Sequence, residues 1–232
     1  MTDRTILKNL ARCGRKAEKL QFHFGRIKAI FGTLVIATLV NFMILVDPII
    51  ALTSTPVDAI EDFHAELLSV MKAADDLAFA GRQDRLKDYV EKLYDSRFMS
   101  RAASGSQWSG FSEDQKEKLA ETFRAFTLAN YASRFDGYSG QRFITTGTRD
   151  VRGGRVFVRT ELIKTDGEAI RIDYLMRERG GRWWIIDVFL DGTLSEVALR
   201  RSEFTPILRD QGFDGLITML RNKIADLAGV AE

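Results

Sequence analysis

Among the side chains able to do chemistry, Asp187 stands out. Alternation along residues 183–190 places it between Ile185 and Phe189, on one face with Trp183, while Trp184, Ile186, Val188 and Leu190 point the other way. A carboxylate in such apolar company either accepts hydrogen bonds from nearby backbone or arginine, or rises in pKa and serves as a base. The first reading is favoured, because no second catalytic group stands at usable spacing; under the second, Tyr174 or Tyr131 would be the acid. Other chemistries fail on composition. With one cysteine, Cys13, and two histidines, His23 and His64, zinc sites of His and Cys and a Cys-His dyad lack ligands. His64 follows Phe63 at the edge of an apolar stripe and reads as a satisfied surface histidine. Phosphate-loop, dinucleotide-binding, nucleophile-elbow and EF-hand patterns are absent. Binding remains, or acid-base work by carboxylates, with no metal or cofactor expected.

Charge and hydropathy divide the chain. The formal charge of +2 is a net +6 over residues 1–28, where eight Lys/Arg meet Asp3 and Glu18, and a net −4 over everything after. A basic end on an acidic body argues for targeting and against nucleic-acid binding. Residues 29–46 then form an apolar run of 18, interrupted only by Gly32, Thr33, Thr38 and Asn41 and ended by Asp47-Pro48. That is longer than a usual signal core of about 7–15 residues and near the minimum for a membrane span. Residues 1–54 therefore read as an export signal or an uncleaved inner-membrane anchor, and 55–232 as the exported body in either case. Since Cys13 precedes the run, the body has no disulfide.

The elements that must position these residues follow from period and punctuation. A first helix starts at Thr55, with Pro56 at its first position and Asp58 completing a capping box, and runs to about Ala80 before Gly81. A second covers roughly 84–94, with Phe98 and Met99 continuing its apolar pattern. After a Gly/Ser stretch at 104–110, Ser112 caps a long helix whose inner side is Leu119, Phe123, Phe126, Asn130 and Tyr131. From Gly140 the period becomes 2, giving four strands at about 141–149, 155–165, 169–179 and 182–190. Gly153-Gly154, Asp166-Gly167 and Gly180-Gly181 between them predict an antiparallel meander. Helical period returns at about 194–211, with Pro206 expected to kink or divide it, and at 214–228. The fold class is α+β: a curved four-stranded meander, NTF2-like, covered by N- and C-terminal helices. Arg200 and Arg201 read as solvated or paired with Glu203 or Asp187.

Several runs together resemble a known family. Gly181-Arg182-Trp183-Trp184-Ile185-Ile186-Asp187-Val188, then Asp191-Gly192-Thr193-Leu194-Ser195, Arg201-Ser202-Glu203-Phe204 and Gly212-Phe213-Asp214-Gly215-Leu216-Ile217 are similar to the MlaC / toluene-tolerance family of periplasmic phospholipid-binding proteins. Tyr94-Asp95 with Phe98-Met99, and the stretch from Gln115 to Gln141, fit as well. Arg200 stands where the family commonly has Tyr, and Thr193-Leu194 is a variant of its usual small apolar residue before the serine. The closest likeness is to the hopanoid-biosynthesis-associated branch.

The resemblance implies a carrier, not an enzyme. It would hold a phospholipid or hopanoid in an apolar cavity and exchange it, as a monomer in the periplasm, with an inner-membrane ABC transporter complex and an outer-membrane partner. Residues able to line such a cavity are Phe123, Phe126 and Tyr131 on the long helix; Ile172 and Tyr174 on strand three; Trp183, Ile185 and Val188 on strand four; Thr193 after it; and Leu216 and Leu220 on the last helix. The strand residues are drawn from both faces, because period alone does not separate pocket from core. The alternative is an acid-base isomerase or dehydratase built on Asp187.

Overall fold

The computed structural model describes residues 55–229. The basic segment, the run 29–46 and the signal-or-anchor expectation lie outside those residues. Within them the order is α1 (Pro56–Lys72), α2 (Ala74–Leu93), α3 (Ser96–Ser104), a 3-10 turn (Gly105–Gly110), α4 (Glu113–Arg134), β1 (Arg142–Val151), β2 (Arg155–Ile163), β3 (Ala169–Arg179), β4 (Arg182–Leu190), β5 (Leu194–Ser195), α5 (Glu196–Asp210) and α6 (Gly212–Leu227). None of these helices is long and apolar enough to cross a membrane.

Caps fix where the helices begin. The Asp58 N–H donates to Thr55 Oγ1 at 3.1 Å and the Thr55 N–H to the Asp58 carboxylate at 2.9 Å, and Ser112 and Gln115 repeat the arrangement at α4. The single helix expected over 55–80 is instead two, and Gly81 does not end it. The α1 ladder closes at Ala73, and a second break follows at Ala78, held at φ 48°. Arg82 spans that break, donating to the carbonyls of Ala74 at 3.3 Å and Ala132 at 2.8 Å, so a carbonyl freed by the break keeps a donor. The α3 helix, which the apolar pattern did not delimit, is capped by the Asp95 carboxylate on the Phe98 N–H at 3.0 Å. Pro206 does not divide α5; the residue four positions before it, Ser202, is exposed, so its unpaired carbonyl faces water.

The sheet runs β1-β2-β3-β4-β5, antiparallel throughout. Gly180 and Gly181 take φ of +63° and +74°, the pair a tight two-residue hairpin requires. The expected four strands are five, because Leu194-Ser195 adds a short strand beside β4. A larger correction comes from a bulge. Met176 pairs with Ile185 but Leu175 with Asp187, so Ile186 is an extra residue on β4. Past that point the alternation reverses. Ile185, Val188 and Leu190 share the inner face with Ile172, Tyr174 and Met176, while Asp187 and Phe189 lie on the outer face with Leu175 and Trp184.

Ile185, Tyr174, Met176 and Val158 on the inner face are buried with Ile60, Phe63 and Leu67 of α1 and Leu86 and Val90 of α2 in one core. The described residues belong to one compact unit, and a core of this extent suffices for a domain to fold by itself. The α1, α2, α3 and α5 helices reach the sheet; α4 packs instead on α2, α3 and α6 and stands off from the strands.

Candidate functional site

The space between α4 and the inner face of the sheet is a cavity of about 470 Å³, within the usual range for small-molecule sites of about 300–1,000 Å³. Leu162, Ile170, Ile172, Val188 and Leu190 form the sheet wall, all inward by the observed register. Tyr131 and Phe135 form the helix wall, and Met71, Tyr94 and Met99 close the inner end, each nearly inaccessible. The rim is polar: Arg134, Asp136, Lys164, Asp191 and Glu196 stand around the mouth. Asp191 holds φ 51° there, a left-handed conformation that Asp tolerates better than most residues.

Aromatic contacts keep the inner end from collapsing. Phe63 meets Tyr131 edge-on at 5.2 Å, Tyr131 stacks on Phe135 at 5.6 Å, and the Tyr94 and Tyr131 hydroxyls hydrogen-bond to each other. Behind this wall His64 is buried, stacked on Phe143 at 3.9 Å and within 3.0 Å of the Tyr174 hydroxyl through Nε2. The expectation of a surface histidine is corrected: β1 covers the edge of α1 on which it sits. Burial lowers the His64 pKa to about 3, so the ring is neutral near pH 7. Burial likewise pushes the Tyr131 phenol up to about 12, and Tyr94 and Tyr174 above their ordinary value. The inner end therefore carries hydroxyls and an uncharged imidazole but no ion, while formal charge stays at the rim.

A protein-family model described as MlaC protein matches residues 61–222. The chain belongs to the MlaC family. A search of curated proteins finds no match. Among solved structures, the chain is similar to a phospholipid-binding protein from Ralstonia solanacearum, solved in complex with a phospholipid, at 20% identity and a TM-score of 0.62, covering 73% of this chain and 97% of that one.

In this MlaC-family chain the residues singled out from sequence separate into two groups. Tyr131, Ile172 and Val188 line the cavity. Phe123, Tyr174, Ile185, Leu216 and Leu220 are buried in the core, with Phe123 edge-on to Phe204 at 6.4 Å. Phe126 lies under the guanidinium of Arg200 at 4.7 Å, Trp183 packs half-buried against the core and Thr193 is exposed. Of the states expected for Arg200 the pairing with Glu203 is found, at 2.6 Å; Glu196 also holds it at 2.7 Å, and it is buried and not solvated. Sequence reasoning missed Met71, Leu162, Phe135 and the charged rim. Inward alternation on β2 was the available signal for Leu162; the loop residues offered none.

Asp187 does not line the cavity. One carboxylate oxygen accepts from the Val188 and Val197 N–H groups at 2.8 and 3.1 Å, and the other from the Ser195 hydroxyl at 2.6 Å. Ser195 Oγ in turn accepts the Ala198 N–H at 2.9 Å. The carboxylate thus ties the end of β4 to the first turn of α5, an N-terminal location that favours an anion. Burial still raises its pKa, yet the bulge has turned it away from Tyr174 and Tyr131, so the three do not form an acid-base pair across one site.

Proposed function

We propose that the chain is a lipid carrier that keeps the apolar part of a phospholipid or hopanoid in the cavity between α4 and the sheet, with the polar group at the charged rim. The observation that carries this reading is the cavity's polarity gradient, from Met71, Met99 and Tyr94 at the closed end to Arg134, Lys164 and Asp191 at the mouth. Each methylene transferred from water to such a wall contributes about 0.8 kcal/mol, so a lipid leaves a bilayer only for a cavity that replaces most of its apolar contact. Family membership and the phospholipid held by the Ralstonia protein support the same reading. In this proposal the body is exported to the periplasm by residues 1–54, works as a monomer, and exchanges lipid with an inner-membrane ABC transporter and an outer-membrane partner. The hopanoid-associated branch stays within it, because a polycyclic skeleton is as apolar as an acyl tail.

Native mass spectrometry of the body, purified from an exporting host without detergent, tests the proposal. A co-purified lipid, identified after organic extraction as glycerophospholipid or hopanoid, is the expected result. A protein that carries none and extracts none from vesicles would remove the carrier reading.

A further inference from the structure

The outer face of the sheet carries a charge distribution unlike the rest of the body. By the strand register, Arg142 and Arg149 of β1 and Arg155 and Arg159 of β2 project to this side, as do Arg171, Arg177 and Arg179 of β3 and Arg182 of β4. From the strands, Glu161, Asp173 and Asp187 oppose them there, Asp187 being committed to α5, and Asp95 before α3 reaches two of them. This concentration of cations lies on a body, residues 55–232, whose net charge is −3, so it is segregation and not overall basicity.

The arginines differ in how they are held. Arg171 pairs with Asp173 at 2.6 Å, and Arg177 and Arg179 with Asp95 at 2.6 and 2.8 Å. Among the described residues, Arg142, Arg149, Arg155 and Arg159 have no carboxylate partner, and they occupy the two strands farthest from β5. Aromatic rings are set between the charges. Arg149 stacks over Phe157 at 4.8 Å, Phe157 meets Phe189 edge-on at 5.2 Å, and Arg179 and Arg182 flank Trp184 at 4.8 and 4.2 Å. Stacking holds the Arg149 guanidinium over its ring and lowers the entropy lost when a phosphate binds, while Arg155 donates to the Arg152 carbonyl at 3.0 and 2.9 Å and Arg182 to the Lys92 carbonyl.

We propose that this face docks the protein on an anionic lipid bilayer, the arginines of β1 and β2 meeting headgroup phosphates and the aromatics resting at headgroup level. Four strands of this length make a surface roughly 15 by 30 Å, broad enough for several phosphates at once. Charge complementarity selects an anionic partner, and the half-buried Phe157, Phe189 and Trp184 among the charges select a surface with an apolar layer beneath its phosphates, which duplex nucleic acid lacks. The proposal concerns where the carrier stands, separately from what fills its cavity.

Cosedimentation of the body with vesicles tests it. The expected result is binding to phosphatidylglycerol-containing vesicles, weakening as salt rises, with little binding to phosphatidylcholine alone. Each arginine near such a surface is worth about fivefold in affinity, so Arg149→Glu with Arg159→Glu should weaken binding by at least about tenfold. Lys87→Glu with Arg221→Glu, the same charge change placed on α2 and α6, should leave it nearly intact. Thermal melts confirm that each variant folds, and Arg149→Gln with Arg159→Gln provides an intermediate loss if the reversal does not. Equal loss in both pairs, equal binding to neutral vesicles, no vesicle binding, or stronger binding to duplex DNA at equal phosphate would each overturn the proposal. Lipid extraction by the protein is scored separately, so an empty cavity and an undocked face remain distinguishable.

Discussion

Replacing Leu162 and Leu190 with Trp should abolish lipid uptake while raising the thermal stability of the empty protein. Both residues are half-buried on the cavity wall, one on each side of β3, so the larger rings can turn into the void without displacing core atoms. Filling a cavity commonly stabilises by about 0.5–2 kcal/mol, whereas overpacking a filled core costs about 1–3 kcal/mol. The two readouts therefore move in opposite senses only if the space is empty in the unliganded protein and is also the lipid site. Native mass spectrometry after incubation with vesicles reads the first, with an expected loss of at least about tenfold in bound lipid, and a melt without lipid reads the second. Unchanged uptake would place the lipid elsewhere.

Acid sensitivity centred on His64 should be the other large effect. Its folded pKa of about 3 lies below the ordinary 6.5, so between those values the unfolded chain binds one more proton than the folded one. Stability from this group is complete above pH 6.5 and is lost as the pH falls toward 3. From pH 7 to pH 5 the loss is about 2 kcal/mol. Asp187, whose pKa is raised by burial, responds in the opposite sense, since the folded state takes its proton first. His64→Gln keeps a hydrogen-bonding group facing Tyr174 and does not titrate. Urea denaturation at the two pH values should show the wild type losing about 2 kcal/mol more than His64→Gln. Equal losses would mean that His64 is hydrated.

These effects rest on features that differ in how far the sequence discloses them. The capping box at Thr55 and the Ser112 cap were legible because each is a short-range bond between side chain and backbone. The hairpins were legible for the same reason, since positive φ at paired glycines is a local demand. The bulge at Ile186 was not. Ile185 and Ile186 are both apolar and both buried, so an inserted residue leaves the hydropathy pattern unchanged while moving Asp187 and Val188 to opposite faces. The breaks at Ala73 and Ala78 were hidden in the same way, because alanine suits a helix interior and the reason to stop lies in distant partners such as the Ala132 carbonyl. Phe123 and Tyr131 lie on the same helix with the same period; only the distance of α4 from the strands decides that one packs in the core and the other faces a void. Rim residues such as Asp136 and Lys164 come from loops and strand ends brought together by topology alone.

The most direct measurement of the central claim is photolabelling with a phospholipid that carries a diazirine at the end of one acyl chain. If the tail lies in the cavity with the headgroup at the rim, the label should attach to peptides containing Met71, Met99, Tyr131 or Ile172, and Leu162→Trp with Leu190→Trp should suppress it. Labels confined to Phe157, Trp184 or Phe189 on the outer face of the sheet, or insensitive to the double substitution, would contradict the account.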